Sequence, residues 1–305
     1  MDMQVIINQM VVLFILLAAG LLAGKISLLT TEGTQALSKI VLYITAPCTI
    51  LNSVINGDLS ITGGETAFFA LMSLSAIVLH IIISIPAIKA LGGDKTKHGM
   101  FRYLAIFGNV TNMGFPVAIA ILGAVSAFYI AIYNIVYILF CYSLGIVLVS
   151  GKSGKFDPKK FINPSLIAGI LIIIIVITGF KAPYIISETV RLASGITTPA
   201  AMLIIGATLS RISIKTTLAE WRLFPVAFIK LIIMPVATWL ILNPFVSNKM
   251  MLNVLVILSG MASGVMSTIF AIEYGGDERV ASGGVFLTTL LSGITIPLIV
   301  FFLLA

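Results

Sequence analysis

From residue 103 to residue 151 the chain runs through 49 positions without one charged side chain. Further uncharged runs cover 3–24, 40–57, 66–88, 161–180, 192–210, 250–272 and 280–305, and a run at 223–242 is interrupted only by Lys230. A helix needs about 20 apolar residues to cross the hydrocarbon core of a bilayer. Each of these runs is therefore expected to hold one spanning helix, except 103–151, which must hold two that turn near Gly123-Ala124-Val125-Ser126. Ten spans result. Hydrophobic residues make up 59% of the chain and charged residues 10%, against about 25% charged in a soluble domain. With a mean hydropathy of +1.16, this reads as an all-α polytopic membrane protein.

The charges sort by loop. Alternate connections carry Lys25 and Lys39; Lys89, Lys95, Lys97 and Arg102; Lys152, Lys155, Lys159 and Lys160; Arg211, Lys215 and Arg222; and Arg279. The opposite set holds only Lys181, Arg191 and Lys249. Basic loops face the cytoplasm, so both termini are expected outside and the 151–160 connection inside. The net charge of +7 follows from this distribution and does not point to nucleic acid. The N-terminus, Met1-Asp2-Met3-Gln4, has no basic segment before its apolar run, so no removable signal peptide is expected. Cys48 and Cys141 sit in apolar runs and read as free thiols, with no metal cluster.

Two of the runs contain helix-breaking stretches: Gly108-Asn109-Val110-Thr111-Asn112-Met113-Gly114-Phe115-Pro116 in span 4 and Gly260-Met261-Ala262-Ser263-Gly264-Val265-Met266-Ser267 in span 9. Backbone groups freed in lipid must face protein or water, and paired interruptions in two halves of a chain point to a transporter's binding site. Ten spans divide into five and five, and an odd repeat inverts the second half in the bilayer. The expected organisation is a first repeat at 1–150, a cytoplasmic linker at 151–160 and a second, inverted repeat at 161–305. Ile44-Thr45-Ala46-Pro47 in span 2 is echoed by Ile196-Thr197-Thr198-Pro199 in span 7. Pro47 precedes Asn112 by 65 residues and Pro199 precedes Gly264 by 65.

The candidate binding residues are Asn109, Asn112, Gly114, Pro116, Ser263, Gly264, Ser267 and Lys230, with Thr45, Pro47, Thr197 and Pro199 as crossover or hinge positions. Asparagine amides supply donors and acceptors. Pro116 lacks an amide and should release a carbonyl near Asn112, while Gly114 permits non-helical angles. The small residues of span 9 equally suit close helix packing. Lys230 is the one formal charge within a span. Either it serves the site as a countercharge, or it snorkels to the cytoplasmic face. If buried, its candidate partners are a substrate anion or helix C-terminal carbonyls. His80 occupies the corresponding span of the first half and is a candidate proton relay, or a packing histidine. No Asp or Glu falls deep in a span, which disfavours a simple cation antiporter and, with a lysine beside helix ends, favours an anion. Gly20-Leu21-Leu22-Ala23-Gly24 reads as a helix-packing motif, and intramolecular packing is the expected use.

The run Asn109-Val110-Thr111-Asn112-Met113-Gly114-Phe115-Pro116, together with Pro47, Pro199 and the terminal Thr288-Thr289-Leu290-Leu291-Ser292-Gly293-Ile294-Thr295-Ile296-Pro297, resembles the auxin efflux carrier family. This family includes plant exporters and bacterial malate or malonate permeases. The resemblance extends over essentially the whole chain. It implies the ten-helix fold shared with bile-acid symporters, in which spans 1, 2, 6 and 7 form a scaffold and spans 4 and 9 cross in a transport domain. It also implies a homodimer and an elevator-like motion. The long cytoplasmic loop of many plant exporters has only residues 151–160 as its counterpart here, which fits a compact bacterial permease.

The reading is a secondary carrier of small organic anions, carboxylates or dicarboxylates, in a bacterial inner membrane, without a cofactor. Proton, sodium or no coupling all remain open at this stage. A sodium-coupled bile-acid-type symporter is the alternative on the same fold, and sodium-dependent uptake would mark it. A channel or an intramembrane enzyme are the alternatives of other classes. Single-channel currents would mark the first, and the second lacks an acidic cluster or a paired nucleophile and base.

Overall fold

The computed structural model describes residues 3–55, 63–92, 95–151, 164–211 and 220–304, and among them every regular element is helical. The helices are α1 (Met3–Lys25), α2 (Thr31–Ile55), α3 (Gly63–Ala90), α4 (Lys95–Ile106), α5 (Phe115–Leu122), α6 (Ser126–Ser150), α7 (Pro164–Thr178), α8 (Tyr184–Leu209), α9 (Leu223–Leu242), α10 (Lys249–Ser259), α11 (Met266–Tyr274) and α12 (Glu278–Leu304). Six of them, α2, α3, α6, α8, α9 and α12, are long and apolar enough to cross a membrane. The protein is a polytopic, all-helical membrane protein. Most of the 151–160 linker, with its four lysines, lies outside the described residues, as does Lys215.

Prolines shape the helices more finely than a simple break. Thr45, Gly114 and Ile233 each end a π-helical turn (Val41–Thr45, Val110–Gly114, Ile229–Ile233), and each stands two residues before a proline: Pro47, Pro116 and Pro235. A proline ring collides with the carbonyl one turn earlier and offers no N–H. Widening that turn relieves the collision without ending the helix. Between α5 and α6 the chain turns on Gly123, whose φ of 86° suits glycine, and Ser126 Oγ donates to Gly123 O at 2.7 Å. This is the turn expected within the long uncharged run.

The chain forms two compact units. One comprises Met1–Leu71, Thr111–Ile135 and Ile162–Ile212; the other comprises Met72–Val110, Val136–Phe161 and Ser213–Ala305. In the first, α1 packs along α8 at backbone contact distance. A Cβ on Gly20 would strike Leu203 O, one on Gly24 would strike Ser210 Oγ, and one on Gly206 would strike Leu17 O. The glycine motif of α1 is therefore spent inside the chain, as expected. In lipid the hydrophobic effect does not press helices together, so such close dispersion contacts carry the packing. Gly206→Leu is expected to destabilise this unit by at least about 1–3 kcal/mol, the cost of overpacking, and to lower the thermal midpoint of the detergent-purified protein. An unchanged midpoint would mean that α1 and α8 do not touch at these glycines.

In the second unit, α4, α9 and α12 begin at one end, where Lys97 Nζ meets Glu220 Oε2 at 2.8 Å and Asp277 Oδ2 at 3.9 Å, and Arg222 lies 3.6 Å from Glu220. These partly exposed pairs add little stability singly, but they set three helix starts side by side. Asp277 also caps α12, accepting from Arg279 N at 3.1 Å and Val280 N at 3.0 Å.

A candidate site where two broken helices meet

The second unit contains the site. Helix α4 ends at Ile106 and α10 at Ser259; the chain leaves the helix directly at 107–109 in the first, and after a turn at 260–261 in the second. The two non-helical stretches pair at Gly108 and Ser263 as a short antiparallel bridge. Asn109 N donates to Ala262 O at 2.7 Å, and Gly264 N donates to Phe107 O at 2.9 Å. Each break thereby satisfies backbone groups freed by the other, which is the condition for non-helical backbone at membrane depth.

Side chains complete the accounting. Ser263 Oγ donates to Leu104 O at 2.7 Å, and Ser263 N donates to Thr288 Oγ1 of α12 at 2.9 Å. Tyr137 Oη of α6 donates to Gly108 O at 2.8 Å. Ser267, in the first turn of α11, donates to Gly264 O at 2.9 Å. Glycine gives close passage at both crossing points: a Cβ on Gly264 would lie 3.1 Å from Gly108 O and 3.3 Å from Tyr137 Oη, tighter than ordinary contact. One on Gly108 would lie 3.3 Å from Lys230 Nζ and 3.4 Å from Leu258 O. Aromatic rings brace the bridge. Phe107 stacks against Tyr103 with centroids 4.9 Å apart and meets Tyr137 edge-on at 5.7 Å, pairs worth about 0.5–1.5 kcal/mol each beyond their buried area.

Lys230 does not snorkel. Its side chain, 1% exposed, leaves the π-helical turn of α9 and donates from Nζ to Ile106 O at 3.2 Å. A cation at a helix C-terminus is favourably placed against the helix dipole, and among the described residues no carboxylate pairs with it. Nearby, His80 Nε2 of α3 lies 3.0 Å from Thr238 Oγ1 of α9, which lies 3.0 Å from Ser259 Oγ at the end of α10. Thr238 Oγ1 also lies 2.8 Å from Met234 O. The buried Nδ1 of His80 has no partner among the described residues. Asn109 is 8% exposed, and its side-chain amide makes no hydrogen bond among the described residues.

The expected site residues thus fall into two groups. Asn109, Ser263, Gly264, Ser267, Lys230 and His80 belong to the second unit, while Asn112, Gly114, Pro116, Thr45, Pro47, Thr197 and Pro199 belong to the first. Within the interrupted stretch of span 4 the non-helical residues are 107–109, and 110–114 form a π-helical turn that runs into α5. Gly114 is helical, with φ −61° and ψ −48°, and Pro116 follows that widened turn at the start of α5. Asn112 lies on the π-helical turn, and its side chain is outside the described ones. At the other proline echo, Thr197 Oγ1 meets Thr49 Oγ1 at 2.7 Å, and Thr49 donates to Thr45 O at 2.9 Å, so Thr49 joins the pair that the echo of Thr45 and Thr197 pointed to. Sequence reasoning passed over Tyr137, Thr238 and Ser259, which lie among apolar neighbours outside the two helix-breaking stretches. Thr288 stood in the C-terminal motif but was given no role.

A bridge of two broken helices, buried in an all-helical membrane protein, defines the class: a membrane transport protein. The family described as "Membrane transport protein" matches residues 5–300. The chain belongs to that family, the auxin efflux carrier or PIN-like family. An uncharacterized transporter of Methanocaldococcus jannaschii is 26% identical over 306 residues, covering 95% of this chain and 96% of the relative. An uncharacterized transporter of Methanothermobacter thermautotrophicus is 25% identical over 287 residues, covering 93% and 94%. Family and relatives alike point to transport rather than catalysis.

Proposed function

We propose that the protein is a secondary carrier of small organic anions, carboxylates or dicarboxylates of the malate or malonate kind. The observation that carries this reading is the buried amine of Lys230 beside the bridge, with no carboxylate paired to it and no hydrogen bond on the side-chain amide of Asn109 among the described residues. A fixed positive charge and an unspent amide suit an anion and repel a cation. On this reading the ten spans form two inverted repeats, 1–150 and 161–305, joined by the 151–160 linker. Broken spans 4 and 9 cross at the bound anion, and access alternates by an elevator-like motion of a homodimer. The basic loops put both termini outside a bacterial inner membrane.

Counterflow in proteoliposomes with a panel of labelled carboxylates tests the proposal. One or more mono- or dicarboxylates should accumulate against an unlabelled internal pool, while amines and sugars should not. Uptake restricted to cations or neutral solutes would sink it, and single-channel currents would move the protein to the channel class.

A further inference from the structure

We infer that Lys230 is a built-in counter-cation: its side chain fills the place among helix-end carbonyls where a free monovalent cation would otherwise bind, so the carrier needs no coupling sodium. The inference rests on the reading of the bridge as a transport site and deepens it from substrate class to coupling.

The last carbonyls of a helix carry about half a negative elementary charge between them. In transporters with broken helices, unwound carbonyls and half-helix C-termini are where coupling cations are held. At the end of α4 five such acceptors have partners. Tyr103 O accepts from Phe107 N at 2.9 Å, Leu104 O from Ser263 Oγ at 2.7 Å, Phe107 O from Gly264 N at 2.9 Å, and Gly108 O from Tyr137 Oη at 2.8 Å. Ile106 O accepts from Lys230 Nζ at 3.2 Å, so the charged donor of the set falls on the last residue of the helix.

Lys230 Nζ and Leu258 O, from the last turn of α10, flank the same point, lying 3.3 and 3.4 Å from the place a Cβ on Gly108 would take. Lys230 is thus bonded to the end of α4 and lies on the side of Gly108 that the last turn of α10 also borders. A glycine at 108 leaves the room it needs. Its placement is built into α9, because the π-helical turn that carries it lies just before Pro235. Among the described residues, His80, held on Thr238, lies in electrostatic range of Lys230. An amine has three N–H donors, and one is spent on Ile106, so the rest remain for an anion at the bridge. A tethered charge in this position does two tasks that a mobile cation would do: it neutralises the helix ends and attracts the substrate.

The test has one arm that needs no substrate. Purified wild-type protein should show the same thermal midpoint in sodium, methylammonium and choline chloride. Lys230→Ala should melt lower in choline and regain roughly 3 °C or more in sodium or methylammonium, as expected for a ligand well above its dissociation constant. In proteoliposomes, wild-type counterflow should be unchanged when choline replaces all sodium and potassium. Lys230→Ala should be at least about 100-fold slower in choline and recover about tenfold or more in methylammonium. Sodium-dependent wild-type transport overturns the inference while leaving the anion reading intact. So does a folded Lys230→Ala that transports at the wild-type rate in choline, or one that neither sodium nor methylammonium stabilises. Cation rescue of the melting midpoint with no carboxylate transported by the wild type leaves the inference standing and fells the anion reading. If Lys230→Ala does not fold, Lys230→Met replaces it, and the sodium requirement of the wild type decides the matter by itself.

Discussion

Gly264→Val is expected to abolish transport while the protein still inserts and folds. The substituted Cβ would stand 3.1 Å from Gly108 O and 3.3 Å from Tyr137 Oη, tighter than ordinary contact, and valine adds two methyl groups beyond it. The expected outcome is an opened bridge. Opening it strands Phe107 O and Gly264 N, and with them the pairing of Asn109 N to Ala262 O. Overpacking of this kind costs about 1–3 kcal/mol, and a shift of about 1 Å in a binding geometry costs on the order of 100-fold in rate. Counterflow should therefore fall at least about 100-fold. Gly264→Ala, which adds only the Cβ, should retain part of the activity. Size-exclusion elution at the wild-type position would show that the loss is local. Wild-type counterflow in a folded Gly264→Val protein would mean that the bridge is not the transport site.

Much of this arrangement is written in the sequence, and what is missing has a physical reason. The long charge-free runs, the turn at Gly123 and the two interrupted spans can be read directly, because lipid forbids the alternatives. Where each break falls cannot be read as easily. Pro116 looks like the break, yet the π-helical turn before it keeps that stretch helical, and the non-helical backbone falls at 107–109, where Gly264 N donates to Phe107 O across 156 intervening positions of sequence. The three π-helical turns that end two residues before a proline are legible only in retrospect, as a widening upstream of the ring. The partner of Lys230 was reduced to a short set of candidates by the absence of nearby acids. Selecting Ile106 O from that set takes the fold, since 124 residues separate donor and acceptor. Tyr137 is one tyrosine among many apolar neighbours, and nothing in its surroundings marks it as the hydroxyl that tops Gly108.

Lys230 separates two ways in which a buried amine could help an anion, by its charge or by its hydrogen bonds. Lys230→Gln keeps donors of shorter reach and loses the charge. Lys230→Arg keeps the charge on a broader, planar group. If the charge matters, Lys230→Gln should lose at least about 100-fold in counterflow, because an anion left unpaired in a buried site costs about 3–5 kcal/mol. Lys230→Arg should keep a measurable fraction, limited by the room beside Gly108, where the native Nζ already stands 3.3 Å from a hypothetical Cβ. The same series can be read through substrate affinity, by the concentration at which unlabelled carboxylate halves the counterflow signal. Charge loss should weaken dicarboxylates more than monocarboxylates, since the second carboxylate loses the same fixed partner. Equal activity of Lys230→Gln and the wild type would reduce Lys230 to a cap on the end of α4, holding Ile106 O and nothing more.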